Sequence, residues 1–103
     1  MARKSTMRRV RKGKRWGPGR GFLVTWDVDS ANQATAHRLR YFVFGSTVTS
    51  GGRPYRYPGF AEKEGVRYIG QSVLFVRPDL RREIVTFLSK NGIDHEVTSA
   101  SIG

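Results

Sequence analysis

A chain of 103 residues with 19 basic and 8 acidic side chains, and a formal charge of +11, has room for one small domain and favours a polyanionic partner. It has no Cys, which excludes disulfides and thiolate metal sites and fits a reducing, cytoplasmic location. No run approaches the roughly 20 apolar residues that span a bilayer, and no apolar stretch follows the basic N-terminus, so neither a membrane partner nor a secretory signal is expected.

The charge is unevenly spread. Nine of the first twenty residues are basic and none is acidic: Arg3, Lys4, Arg8, Arg9, Arg11, Lys12, Lys14, Arg15 and Arg20. The other 83 residues hold ten basic and eight acidic groups, so residues 21–103 are nearly neutral. Like-charge repulsion and few large apolar groups leave residues 1–20 unable to offset their ordering entropy, and they read as a disordered basic arm. Phosphate backbones suit such an arm, because each neutralised phosphate releases a counterion. Arg outnumbers Lys, which favours bidentate phosphate contacts. Trp16 lies among the cations, and either stacks on an exposed base or packs back onto the domain. An Arg-rich, acid-poor opening also fits a mitochondrial presequence.

Gly17 to Gly21 reads as a hinge by composition. Phe22 to Val28, rich in β-branched and aromatic residues, reads as a strand covered on both faces. Asp29 or Ser30 then caps a helix over 31–44, with Ala31, Thr35, Leu39, Phe42 and Val43 at helical spacing and Gly45 after its end. A strand over Leu39–Val48 is the alternative. Residues 46–65 read as a projecting insertion, with Thr47–Thr49 and Tyr55–Tyr57 paired as a hairpin around Gly51-Gly52. Val66–Val76 reads as a bent strand pair with a bulge or bend at Gly70. A second helix over 78–90 has Pro78 in its first turn, an apolar stripe of Leu80, Ile84, Phe87 and Leu88, and Asn91-Gly92 at its end. Ile93–Ile102 closes as a strand. The order is that of an α+β, ferredoxin-like βαββαβ sandwich, with both helices on one face of an antiparallel sheet. The other face is left for a partner subunit or nucleic acid.

Two groups of side chains carry candidate chemistry. Arg53, Tyr55, Arg56, Tyr57 and Phe60 interleave cations with aromatics, a pattern suited to bases that are single-stranded or distorted. Its alternative is a loop anchored to the core by its tyrosines. Asp27 and Asp29 lie two apart at a strand end, where their carboxylates share a face if the strand runs through Asp29 and offer oxygen ligands to Mg²⁺. Otherwise Asp29 caps the helix and Asp27 pairs with an Arg. His37 and His95 lack metal-ligand spacing, Ser72 lacks a nucleophile's partners, and Arg81 and Arg82 read as a solvated face.

Leu23-Val24-Thr25-Trp26-Asp27-Val28-Asp29-Ser30, with Arg38 and Arg40 in the helix that follows, resembles the opening of the second CRISPR-associated protein family. Gly65 to Phe75 is similar to that family's second strand pair, with one extra residue before Phe75. The resemblance spans about residues 21–100 and implies a small ferredoxin-fold homodimer. It also implies a metal-facing catalytic role for Asp27 against its symmetry mate, with Mg²⁺ as cofactor. Members differ in whether they cleave nucleic acid, and neither the arm nor the 46–65 insertion belongs to the family pattern. The expected function is therefore nucleic-acid binding by arm and Arg/Tyr loop on a dimeric scaffold. The alternatives are a metal-dependent nuclease using Asp27, with Asp29, and a structural subunit of a ribonucleoprotein such as a ribosome.

Overall fold

The first strand, β1 (Gly19–Asp27), alternates its side chains between two environments. Phe22, Val24 and Trp26 join the main core, whereas Leu23 and Thr25 lie on the opposite face. The structure, a computed structural model, describes residues 19–29 and 31–102. Arg3 to Arg15 and Trp16 lie outside that range. Gly19, Arg20 and Gly21, read from composition as part of a hinge, are paired strand residues opposite Ile102, Ser101 and Ala100. At Gly21 the physical reason is close approach, not flexibility. A Cβ there would strike the Val76 carbonyl and come within 2.5 Å of the Phe75 ring.

Helix α1 (Gln33–Phe44) starts two residues later than composition suggests. Its cap is Asn32, whose Oδ1 accepts the Thr35 N–H at 3.2 Å. Asp29 instead closes the preceding turn, its Oδ1 accepting from Ala31 N–H at 2.9 Å. Thr35, Leu39 and Val43 form the buried face. The helix ends where the Gly45 N–H donates to the Tyr41 carbonyl. Strand begins at once, so the strand alternative for Leu39–Val48 holds only from Gly45 onward.

Strands β2 (Gly45–Ser50) and β3 (Arg53–Pro58) form a two-stranded sheet of their own. Gly51 and Gly52 connect them with φ of 59° and 79°. Two successive positive φ angles are what a primed two-residue hairpin turn demands, and glycine meets that demand without steric cost. A 3₁₀ turn, Phe60–Glu62, returns the chain to the core.

β4 (Val66–Gly70) and β5 (Val73–Val76) make the expected strand pair. The register slips between Tyr68 and Gly70, leaving Ile69 bulged, and the reversal itself falls at Gln71-Ser72. The 3₁₀ turn Pro78–Leu80 leads into α2 (Arg81–Lys90), and β6 (Asp94–Ile102) finishes the fold. The sheet order is β4-β5-β1-β6, with every neighbouring pair antiparallel. Among the described residues the fold is α+β, with two antiparallel sheets and two α-helices.

One core unites these elements: Val24, Leu74, Val76, Val66 and Tyr68 from the large sheet, Leu39 and Val43 from α1, and Ile84 and Leu88 from α2. Both helices therefore pack on the same face of the sheet. Phe42 of α1 stacks between two rings, its centroid 4.0 Å from Phe87 of α2 and 5.3 Å from Phe60 of the 3₁₀ turn. Each fully buried aliphatic side chain contributes about 1.5–3 kcal/mol of transfer free energy. Arg81 and Arg82 are exposed, as a solvated face requires, and the Arg81 guanidinium also lies 4.6 Å from the Phe22 ring centroid. No helix among the described residues is long and apolar enough to cross a membrane.

Candidate nucleic-acid interface

The β2–β3 hairpin sorts the Arg/Tyr cluster onto two faces. Strand alternation places Arg53, Tyr55 and Tyr57 on one side, opposite Ser50, Val48 and Ser46 of β2. Tyr55 is 58% exposed and Tyr57 53%, with Val48 at 44% beside them. The two tyrosine rings lie 4.8 Å apart at 58°, so the face carries two adjacent aromatic surfaces and one cation near the turn. Tyr55, Tyr57 and Val48 are exposed side by side on one face, whereas Tyr41, 55% exposed, stands apart from them on α1.

Arg56 points the other way and binds the protein itself. Its Nη2 donates to the Phe44 carbonyl at 2.7 Å and pairs with Glu62 Oε2 at 2.6 Å. The same Glu62 oxygen accepts the Gly59 N–H at 2.6 Å. One guanidinium and one carboxylate thus tie the end of α1, strand β3 and the returning 3₁₀ turn together. Phe60, the fifth member of the cluster, is buried in the core. The sequence pattern had a usable signal here: positions 53, 55 and 57 share parity and 56 does not. Glu62, which completes the anchor, carried none.

Other cations divide similarly. Arg20 is exposed on β1 and Arg40 on α1. Arg38 bridges the helices instead, its Nε donating to Asn91 Oδ1 at 3.1 Å and its Nη2 contacting Thr35 Oγ1 at 3.4 Å. Lys63 and Glu83 pair at 3.4 Å across the surface.

Asp27 is exposed at the last position of β1. The strand stops there, so Asp29 lies in the turn beyond and not on the same strand face. The carboxylate that does oppose Asp27 is Asp94, its register partner on β6. Sequence separation hides that pairing, because nothing local to Asp27 specifies the β1–β6 register. An open groove of about 490 Å³ runs between Thr25, Trp26, Asp27, Asp94, His95 and Glu96. His95 Nδ1 lies 2.7 Å from the Ile93 carbonyl. A carbonyl only accepts, so Nδ1 is the donor in this contact. Among the described residues, no three His, Asp or Glu side chains are grouped to hold a metal ion. No family model, no curated protein and no solved structure matches the chain.

Proposed function

We propose that this chain is a nucleic-acid-binding protein of the cytoplasm. Residues 1–18 neutralise phosphates, and the Arg53, Tyr55 and Tyr57 face of the hairpin contacts the same strand. The strand order β4-β5-β1-β6, with both helices on one face and the hairpin left aside, supports a ferredoxin-like scaffold. The face of the large sheet turned away from the helices is offered to a second copy in a homodimer. The observation that carries the reading is the exposed Arg/Tyr face, held out from the core by Arg56 and Glu62. Phosphate contacts position such a protein without reading sequence.

The test is binding of a fluorescent oligonucleotide across a salt series. Deleting residues 1–18 removes eight basic residues and leaves β1 whole. At about 0.7–0.9 of salt slope per neutralised phosphate, full engagement of the arm predicts a slope reduced by roughly 6–7. A full-length chain that binds no oligonucleotide, or a slope untouched by the deletion, sinks the proposal.

The second reading is a metal-dependent nuclease at Asp27, favoured by the opposed Asp27 and Asp94 carboxylates. Mg²⁺ is often held by one or two carboxylates plus substrate phosphates, so this pair fits such an ion. The ion would polarise a phosphoryl oxygen. Mg²⁺-dependent cleavage that survives Asp27→Ala removes this reading.

A further inference from the structure

We propose that the hairpin face is a stacking platform for single-stranded nucleic acid, with Tyr55 and Tyr57 each taking an unpaired base. This inference rests on the nucleic-acid reading above and names its substrate class. Three observations select single strands over duplex.

The first is side-chain chemistry. A two-stranded ribbon fits the major groove, but it reads base edges there with Arg, Lys, Asn or Gln. On this face only Arg53 is of that kind; the rest are tyrosines, valine and serines. Rings offer flat surfaces, and in a duplex each base already stacks on its neighbours. Unpaired bases alone present a free face to a tyrosine.

The second is availability. Tyr55 and Tyr57 are each more than half exposed and touch one another at 4.8 Å without burying their outer surfaces. A tyrosine anchored to the core, the alternative raised by the sequence, would be buried like Tyr68 at 3%.

The third is fixed presentation. The opposite face cannot exchange roles with this one, because Arg56 is held by Phe44 and Glu62. Docking along the strand edge is disfavoured too, since Pro54 and Pro58 deprive β3 of two N–H donors. The hairpin therefore works through one face. Arg53, near the turn, is placed to meet a phosphate beside the stacked bases.

The experiment uses the full chain and a labelled thymidine strand of about 15 nucleotides, within the range a small module covers, alone or annealed to its complement. Wild type is expected to bind the single strand at least tenfold more tightly. Tyr55→Ala and Tyr57→Ala should each weaken single-strand binding by about tenfold, as loss of one stacked base does. Duplex binding and the salt slope should stay unchanged, since no phosphate contact is lost. Tyr55→Phe and Tyr57→Phe should bind like wild type and show that the ring, not the hydroxyl, acts. Equal affinity for both forms, or losses equal on both, overturns the stacking inference while leaving a phosphate-binding protein. A wild-type chain that binds neither form overturns both readings.

Discussion

Glu62→Ala is the substitution that most directly tests how the hairpin is held. Glu62 Oε2 accepts from Arg56 Nη2 and from the Gly59 N–H, both at 2.6 Å. Hydrogen bonds to charged groups contribute about 1.5–3 kcal/mol each. The Arg56 and Glu62 side chains are 32% and 19% exposed, and Arg56 keeps the Phe44 carbonyl, so the pair is worth less than two full bonds. Gly59 itself is buried, and its N–H would lose its carboxylate acceptor. Together these give about 2–3 kcal/mol. At roughly 4–8 °C per kcal/mol for a domain of this size, the thermal midpoint should fall by about 10–20 °C. Glu62→Gln retains one carbonyl acceptor without the charge and should lose about half as much. Circular dichroism melts of both variants decide it. A midpoint within 2 °C of wild type for Glu62→Ala would refute the anchor. Single-strand affinity should fall alongside, because Tyr55 and Tyr57 are presented by the same strand that Arg56 holds.

Phe42→Ala should cost about 2–3 kcal/mol, less than a fully buried ring because Phe42 is only partly buried, since it removes the ring stacked between Phe87 and Phe60; urea denaturation reads the loss. Gly21→Ala should destabilise strongly through its collision with Val76 and Phe75, whereas Gly70→Ala, with open space around its Cβ, should change the midpoint little. Replacing both Gly51 and Gly52 with Ala should cost about 1–2 kcal/mol each from positive φ alone, visible as faster amide exchange in β2 and β3.

The parts of the fold that were legible in the sequence rest on local physics. Gly51-Gly52 between alternating residues specifies a hairpin by itself, and Ile84 and Leu88 mark the buried stripe of α2 because helical spacing is local. What escaped depends on contacts far apart in the chain. Gly19 and Gly21 look like a hinge until the ring of Phe75 and the guanidinium of Arg77 are found lying over them. Asp29 is as good a cap by type as Asn32, and only the position of the first helical turn separates them. At the candidate site, strand parity puts Tyr55 and Tyr57 on one face, but that this face is exposed and not anchored to the core comes only from the structure. Arg56 was grouped with them because a list of residue types ignores the face each one occupies.

The Asp27–Asp94 pair leads to the last prediction. Like charges directly opposite on neighbouring strands are destabilising, by a few tenths to about 1 kcal/mol. Asp94→Asn should therefore raise the midpoint by about 1–5 °C at low salt. The gain should vanish near 1 M salt, where the Debye length shrinks to about 3 Å. A cation held by both carboxylates would recover the same repulsion. Under the nuclease reading, millimolar Mg²⁺ raises the wild-type midpoint, while Asp94→Asn and Asp27→Asn lose that response. Na⁺ at matched ionic strength separates binding from screening. If Mg²⁺ and matched Na⁺ shift the wild type equally, the pair is only a repulsion tolerated at a strand end. Asp27 then has no metal role, and the nuclease reading falls.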